Sequence, residues 1–427
     1  MRTLRVLAIA VFAACLPTFA RAQQPPTGCS TVEQNLYVRN VMTDLYLWYQ
    51  AVPDVDPAAF DSPEAYLETV RFRPVDQTFS YITSRQANDA LYSASQYIGF
   101  GFSTIVTASR ELRVTQVFDG SPAARAGLGR GDRIVEIDGL AVTGLVTNGH
   151  IGSAFGPSEI GFESDIGFLH GSSRVTARLM KTLVTIPTVS LTRVYQIGSR
   201  TVGYVFFRNF VEPSYAALDR AFGGLAGIDE LVLDLRYNGG GLVSVAQHLA
   251  SLIGGARTDG HVFAEFFHND RNSSRNHVLR FASTPNAASL SRVVVLTTRA
   301  SASASELVIN ALRPFLPVII IGDRTYGKPV GQYGLAFCDK VLAPVSFALR
   351  NANREGDFFD GLQPTCTAAD DLDHQFGDPR EASLSEAFAF IESGHCSGPE
   401  RARTTTAGDA QSIFPFRSEW QAAIGAH

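Results

Sequence analysis

The sequence predicts a multi-domain α/β protein with a helical N-terminal region, a small β-domain and a core built on a mostly parallel sheet. Three observations support this fold class. Apolar and polar residues alternate at helical spacing from about 30 to 95, and short β-type runs between glycine-rich turns begin near 97. From 201, buried-type strand runs alternate with helix-like segments, which is typical of right-handed βαβ units. At 427 residues the chain is also too long for one average domain.

The first 22 residues have the features of a secretory signal. Arg2 and Arg5 precede an apolar run, and Ala22 precedes the expected cleavage point. The run is too short and wrongly flanked for a stable membrane span. Cys15 suggests a lipid anchor, but Phe12 is a poor residue three positions before such a cysteine. We therefore expect an exported, periplasmic or secreted protein without a lipid anchor.

Composition narrows the classes of partner and cofactor. The net charge is −5 and no basic cluster occurs, so nucleic acid is not an expected partner. The chain has no HExxH motif, its cysteines lack zinc-site spacing, and its histidines are scattered. No metal or other cofactor is expected.

The cysteines after residue 22 are even in number and can form disulfides in an exported protein. They are Cys29, Cys338, Cys366 and Cys396, and four cysteines allow three pairings. We favour Cys338 with Cys366, because these two flank one short strand-and-loop section.

Changes in pattern place the boundaries along the chain. The expected parts are the signal 1–22, a helical region 30–95, a β-domain and following loop 97–180, an α/β core 181–395, and a polar tail 396–427. Within the β-domain, the stretch DGSPAARAGLGRGDRI predicts a short helix that a proline opens and glycines close. Residues 140–165 are rich in glycine and are expected to form a loop or insertion.

The core is predicted from four strand runs and the helices between them. The strands are TVGYVFFRNF, ELVLDLR, RVVVLTTR and VIIIGD, and the helices are SYAALDRAFGGL, LVSVAQHLASLI and SELVINALRPF. Sites in such sheets gather at the carboxyl ends of strands. Three candidate stretches begin there.

The first stretch, ASASASELVINALRPF, places three serines in a strand-to-helix turn. Unpaired N–H groups at a helix start can receive an oxyanion, so a serine here can act as a nucleophile. Alternatively, Ser301, Ser303 and Ser305 are only good capping residues.

The second stretch, GDRTYGKPVGQ, supplies a base other than histidine. A lysine can accept a serine proton if burial lowers its pKa into the neutral range. Lys328 lies in a run with no other charge between Arg324 and Cys338, and Pro329 restricts its backbone to extended conformations. The alternative is an ordinary surface lysine in a turn.

The third stretch, LRYNGGGL, follows the strand ELVLDL. Its glycines allow backbone to approach a bound group closely, and one N–H can complete an oxyanion hole. A tight turn or a phosphate loop would also use glycines. However, the GxxxxGK[ST] phosphate motif is absent, and no GxGxxG opens a helix here.

Together, SASASE, the following Lys328 and Gln332, and LDLRYNGGG resemble the carboxy-terminal processing peptidases. These are tail-specific serine peptidases of family S41 that use a Ser-Lys dyad. The resemblance runs from about residue 30 to 395 and implies a crotonase-like α/β peptidase core.

The resemblance implies a role for each matching residue. Ser303 would be the nucleophile, Lys328 the general base, and Gln332 the residue that orients the lysine. The N–H groups of Ala304 and Gly241 would form the oxyanion hole, with Gly240 as the alternative if the glycine run slips by one residue, and Ser301 and Ser305 would be structural. Pro329 departs from the glycine of many members. The glycine-rich segment 145–165 is longer than expected for this family and would form a lid or specificity loop.

The β-domain resembles a PDZ domain, both in GSPAARAGLGRGDRIVEIDG and in IGFGF. The second motif would be the carboxylate-binding loop, in which backbone N–H groups hold a chain terminus while the peptide adds to a strand. Its residues are Ile98, Gly99, Phe100, Gly101 and Phe102.

The resemblance thus implies an exported serine endopeptidase that cleaves protein or peptide substrates near free, apolar C-termini. One rival is a catalytically silent PDZ-bearing protein that only binds C-termini. Another is a histidine-dependent serine hydrolase of small esters, which would be expected to carry a GxSxG motif that this chain lacks.

Overall fold

The structure is a computed structural model that describes residues 23–398 and 411–413. The predicted signal, Cys15 and most of the polar tail lie outside these residues. The N-terminal region is helical as predicted, with one short strand. Its elements are α1 (Thr31–Asp44), α2 (Pro63–Val70), β1 (Tyr81–Ser84) and α3 (Arg85–Ala94). Ser30 caps α1 in a capping box with Glu33, and Ser62 caps α2 ahead of Pro63.

The PDZ-like domain comes next and contains an antiparallel sheet with short helices. Its elements are β2 (Gln96–Gly99), β3 (Phe102–Val106), β4 (Leu112–Val117), α4 (Pro122–Arg125), β5 (Arg133–Ile137), β6 (Leu140–Ala141), α5 (Val142–Thr147), α6 (Ile151–Ala154), β7 (Glu163–His170), β8 (Ser173–Met180) and β9 (Thr182–Thr185). Strands β3, β4, β5, β7 and β8 are neighbours in that order, while β2 pairs with β9.

The α/β core occupies the rest of the described chain. Its elements are β10 (Val189–Ile197), β11 (Arg200–Phe207), α7 (Ser214–Gly223), β12 (Glu230–Asp234), α8 (Val243–Gly254), β13 (Val262–His268), β14 (His277–Arg280), β15 (Val293–Thr297), α9 (Ala304–Leu312), β16 (Val318–Gly322), β17 (Val330–Gln332), β18 (Leu335–Phe337), β19 (Lys340–Ala343), β20 (Val345–Arg350), β21 (Cys366–Thr367) and α10 (Ala382–Ser393). A last strand, β22 (Gln411–Ile413), pairs with β3 of the PDZ-like domain.

The main core sheet confirms the predicted parallel arrangement. Its order is β10-β11-β12-β15-β16-β21, and all pairs are parallel except β10 with β11. Helices α7, α8 and α9 pack on one face with a large apolar cluster, and α10 packs on the other. The predicted multi-domain α/β fold class is therefore confirmed. A second sheet, β14-β13-β20-β17, carries the strand that follows Lys328.

The N-terminal helices share their hydrophobic core with the core strands. Val41 and Tyr46 pack in one cluster with Val330, Leu342 and Val345. Strand β1 also pairs antiparallel with β19. The aromatic residues of this region therefore belong to a core that is shared with the core strands. They brace the segment that holds Lys328.

Two expectations from the sequence need correction. Residues 140–165 contain the short helices α5 and α6 rather than only a loop, because Val142, Ile151 and Phe155 are buried in the PDZ-like core. The preferred Cys338–Cys366 disulfide was also wrong.

The disulfides of the described residues are Cys29–Cys338 and Cys366–Cys396. Cys338 lies in the turn between β18 and β19 beside the start of α1, whereas Cys366 lies in β21 of another sheet. Glu386 lies near the second disulfide at metal-like spacing, but both sulfurs there are already bonded to each other. Within residues 23–398 and 411–413, every helix is too short or too polar to span a membrane.

Candidate active site

The serine turn holds Ser303 in an unusual backbone conformation. Strand β15 ends at Thr297, helix α9 begins at Ala304, and Ser303 between them has φ 56° and ψ −113°. Such a positive φ is uncommon for a residue with a side chain and persists only where neighbours enforce it. Here the N–H of Ser303 donates to Glu306 Oε2 at 2.8 Å, and the N–H of Ala302 donates to the Asn238 carbonyl at 3.0 Å.

The two flanking serines tie this turn to the loop that follows β12. Ser301 Oγ donates to the Leu235 carbonyl at 2.8 Å, and Ser305 Oγ donates to the Asn238 carbonyl at 2.9 Å. Both serines are fully buried. Of the three serines in the motif, Ser303 is the one that lines the cleft described below.

The glycine loop lies directly against the serine turn. Gly240 and Gly241 have φ 100° and 140°, in the region that side chains rarely adopt. A Cβ on Gly240 would lie 2.8 Å from Ser303 Cβ and 2.8 Å from the Ala304 nitrogen. The N–H of Gly240 donates to Asn238 Oδ1 at 3.0 Å, whereas Gly241 lines the cleft beside Ala304.

Lys328 is buried, with 3% of its surface exposed. Its Nζ donates to Gln332 Oε1 at 2.8 Å and lies 5.7 Å from the centre of the Phe79 ring. Desolvation lowers the pKa of Lys328 from 10.5 to about 8, while the carboxylates of Asp76 and Glu306 partly oppose that shift. A useful fraction of the amine is therefore neutral near physiological pH.

Gln332 is itself held by the N-terminal region. Its Nε2 donates to the Phe79 carbonyl. The turn that carries Phe79 is organised by the buried Asp76, which accepts from the Ser80 N–H at 2.9 Å, Ser80 Oγ at 2.6 Å and Tyr46 Oη at 2.8 Å. Sequence reasoning missed Asp76 and Phe79, because nothing local links them to a lysine that lies about 250 residues later in the chain.

Glu306 is a third residue whose role sequence reasoning missed. Its buried carboxylate also accepts from the Lys328 N–H at 2.9 Å, the Gly327 N–H at 2.7 Å and Thr325 Oγ1 at 2.5 Å. Burial raises the pKa of Glu306, and these hydrogen bonds oppose the rise. One side chain thus joins the turn of Ser303 to the loop of Lys328. The sequence could have indicated Glu306, because it follows Ser303 by three residues, and a glutamate three residues after a serine suggests a capping box.

These groups meet in one cleft of about 480 Å³. Its lining includes Gly241, Ser303, Ala304, Lys328 and Gln332. Aromatic and aliphatic side chains dominate elsewhere, including Tyr81, Phe266, Leu307, Val341, Phe347 and Leu349. No histidine is among the described residues that line it. The arrangement offers a serine hydroxyl, a lysine amine of lowered pKa and backbone donors beside an apolar groove.

Family models match three parts of the chain. The Peptidase S41 N-terminal domain matches residues 33–81, a PDZ domain matches 113–147, and Peptidase family S41 matches 201–366. The chain belongs to peptidase family S41. This is a serine-type family, and the match covers both the serine turn and the lysine loop.

Named relatives support the S41 assignment. A carboxy-terminal-processing protease of Bartonella bacilliformis is 28% identical over 61% of this chain and 60% of its own length. The chloroplastic C-terminal processing peptidase of Tetradesmus obliquus is 31% identical over 53% of this chain and 49% of its own. The chain thus spans about half to three fifths of these relatives' length.

Solved structures share the S41 architecture over a larger part of the chain. A putative S41 protease from Bacteroides fragilis aligns with 84% of this chain and 97% of its own, with a TM-score of 0.66 and 27% identity. A photosystem II D1 C-terminal processing protease aligns with 84% of this chain and 99% of its own. Its TM-score is 0.51, and at 23% identity it bears on the fold alone.

In the PDZ domain of this S41 chain, the IGFGF motif spans the end of β2, the turn that follows and the start of β3. Phe100 and Phe102 are fully buried in the domain core. Gly101 has φ 95° and packs so closely on Ser121 that a Cβ would lie 2.0 Å from the Ser121 Cβ. The carbonyls of Phe100 and Gly101 accept from Ala123 and Phe118, which fixes the loop against α4.

The PDZ domain also contacts the glycine loop of the S41 core. Arg130 donates to Tyr237 Oη at 3.2 Å and to the Thr115 carbonyl at 2.7 Å. Arg208 donates to the Tyr237 carbonyl and, at 3.1 Å, to Gln116 Oε1 of the PDZ domain. The residue that precedes Asn238 is thus held from both domains.

Proposed function

We propose that this chain is an exported serine endopeptidase that hydrolyses peptide bonds near the C-termini of protein substrates through a Ser303–Lys328 dyad. The observation that carries this proposal is the buried Lys328, whose pKa is lowered to about 8 and whose Nζ is held by Gln332 in the cleft that Ser303 also lines. A lysine in a surface turn would be solvated and fully charged at neutral pH.

The proposed reaction proceeds through an acyl-enzyme. Neutral Lys328 accepts the Ser303 hydroxyl proton as Oγ bonds to the substrate carbonyl carbon and the π electrons move to its oxygen. The intermediate then breaks the C–N bond, and the lysine ammonium gives its proton to the leaving amine. Water releases the acyl group by the same route, with Lys328 accepting a water proton and returning it to Ser303 Oγ.

Backbone N–H groups would stabilise the oxyanion. Ala304 and Gly241 both line the cleft, and the Ala304 N–H lies at the start of α9, where the helix dipole favours negative charge. The N–H of Gly240 already donates to Asn238. This engagement supports Gly241 as the second donor in preference to Gly240.

Tail recognition is assigned to the PDZ domain. Residues Ile98–Phe102 lead directly into β3, and a peptide that adds to the edge of β3 can bring its carboxylate to this loop. We expect free, apolar C-termini as ligands. Two disulfides in the described residues and the signal-like residues 1–22 support an oxidising, periplasmic or extracellular location.

Proteolysis of an unfolded protein substrate with an apolar, free C-terminus tests the proposal. The wild-type protein should cut it, Ser303→Ala and Lys328→Ala should be inactive, and amidation of the substrate C-terminus should slow cleavage. Binding of the tail without cleavage would support a silent binding protein. Activity that survives Lys328→Ala would overturn the dyad.

A further inference from the structure

The C-terminal part of the chain places a strand on the edge of β3. Residues Gln411–Ile413 pair antiparallel with β3, and no other described strand pairs with that side of β3. The other side of β3 is occupied by β4. The tail therefore uses the edge to which a substrate peptide would add.

The direction of the pairing matches that of a bound peptide. Gln411 lies opposite Val106 and Ile413 lies opposite Thr104, so the tail runs from the far end of β3 towards Phe102. The loop Ile98–Phe102 precedes β3 at that end. A ligand whose C-terminus reaches this loop must run antiparallel to β3 in the same sense.

The sequence of the tail agrees with the ligand chemistry proposed above. Ile413 is followed by Phe414, Pro415 and Phe416, which extend it into an apolar run in the sequence. Further residues follow this run in the sequence, so the segment pairs with β3 without offering its own terminal carboxylate there. It therefore has part of a substrate tail's chemistry and should bind more weakly than a free C-terminus.

We propose that the strand Gln411–Ile413, here called the tail strand, is a built-in competitor that occupies the β3 edge of its own chain and lowers the affinity for substrate tails. This inference rests on the proposed tail recognition by the PDZ domain.

Tethering makes a weak segment an effective competitor. The twelve residues 399–410 connect Gly398 to Gln411, and a chain of that length spans at most about 45 Å. Short tethers give effective concentrations of about 1 mM. If the tail strand alone binds with a Kd of about 0.1 mM, it weakens substrate binding about tenfold.

The test uses the full chain with Ser303→Ala, so that no peptide is cut. The double substitution Gln411→Pro/Ser412→Pro removes one backbone donor of the pairing whichever residue supplies it, because donors alternate along an antiparallel edge. Thr404→Pro/Thr405→Pro is the matched control, with the same change in the same tail but outside the paired strand. The probe is a fluorescein-labelled ten-residue peptide that ends in Val-Ile-Phe with a free carboxylate.

Fluorescence anisotropy should show a Kd about tenfold lower for the 411/412 variant than for the parent, with no change for the control. A synthetic peptide of residues 405–420 should displace the probe from the 411/412 variant. An unchanged Kd, or failure of that peptide to displace a bound probe, would overturn the inference and leave the proposed tail recognition intact.

Two further outcomes separate this inference from the proposed function. The same peptide with an amidated C-terminus is measured alongside the probe. If no variant binds the probe, or if none binds it more tightly than the amidated peptide, tail recognition itself fails, and the competitor role fails with it. If the parent chain is a dimer that the 411/412 change dissociates, the tail pairs between copies, which overturns occupancy of its own chain.

Discussion

At the scale of single residues, the three serines of the motif have different environments. Ser301 and Ser305 are buried and donate to carbonyls of the glycine loop, whereas Ser303 has a strained backbone and lines the cleft. The sequence alone left all three open as capping residues or nucleophiles. Their position in a strand-to-helix turn was predictable. The direction of each side chain depends on backbone φ and ψ angles, which the amino-acid sequence does not give.

Alanine substitutions should separate these roles. Ser301→Ala and Ser305→Ala each leave a buried carbonyl without its hydroxyl partner and should cost about 1 kcal/mol of the free energy of unfolding while retaining peptidase activity. Ser303→Ala should abolish activity with little loss of stability. Urea denaturation and peptide hydrolysis would measure both effects. Loss of activity in Ser301→Ala or Ser305→Ala, with Ser303→Ala active, would contradict the assignment.

Glu306 connects the two halves of the proposed dyad, and we expect Glu306→Gln to reduce kcat at least tenfold. A glutamine replaces one accepting oxygen by an NH₂ group that faces the N–H donors of Ser303, Gly327 and Lys328. The mispaired donors should also cost about 1 to 3 kcal/mol of stability. Hydrolysis and urea denaturation measure the two effects, and the exposed Glu392→Gln is the control. Wild-type kcat in Glu306→Gln would exclude a positioning role for this carboxylate.

At the scale of elements, the close packing of the glycine loop on the serine turn determines the geometry of the site. Gly240 and Gly227 both have positive φ, but a Cβ on Gly240 would meet Ser303 and Ala304, whereas one on Gly227 would meet nothing within 4 Å. The two glycines therefore differ in packing and not in the sign of their φ angles.

Gly240→Ala should therefore abolish activity, while Gly227→Ala should only destabilise the protein. Both variants carry the backbone cost of a side chain at positive φ, of about 1 kcal/mol. Only Gly240→Ala displaces the turn that carries Ser303. Peptide hydrolysis by samples matched for folded fraction measures the difference. Equal activity of the two variants would mean that the contact is not needed.

The order of elements was predictable, but their long-range partners were not. The runs ELVLDLR, RVVVLTTR and VIIIGD predicted the parallel core, because continuous β-branched runs between helices leave few alternatives. The pairing of β1 with β19 joins Tyr81 to Ala343, and no local pattern indicates it. No local pattern indicates the contact of Phe79 with Gln332 either. The helices α5 and α6 were missed since glycines there suggested a loop, while burial of Val142 and Ile151 outweighs that tendency.

At the scale of the whole molecule, the disulfides join distant parts of the chain. Cys29–Cys338 spans 309 residues and fastens the N-terminal region to the β18–β19 turn, near the strand that follows Lys328. Cys366–Cys396 spans 30 residues and fastens the end of α10 to β21. The predicted Cys338–Cys366 pair considered only proximity in sequence, whereas a disulfide requires proximity of the Cβ atoms in space.

Removal of either disulfide should lower the urea midpoint. A loop-closure argument gives about 3 to 4 kcal/mol for Cys366→Ser/Cys396→Ser and somewhat more for Cys29→Ser/Cys338→Ser, whose loop is longer. Dithiothreitol should lower the midpoint of the wild-type protein and leave a variant without these four cysteines unchanged. Equal midpoints for oxidised and reduced wild-type protein would contradict a stabilising role.

The pH dependence of kcat/KM shows whether Lys328 is the base. The mechanism requires a neutral amine. On a peptide without titrating groups, kcat/KM of the wild-type protein should therefore rise with pH to a plateau, with a midpoint at about 8. Gln332→Glu places a carboxylate beside Nζ, stabilises the ammonium, and should move the midpoint upward by about one unit. A flat pH profile of kcat/KM, or a midpoint at about 6.5 that Gln332→Glu does not move, would indicate a base other than Lys328.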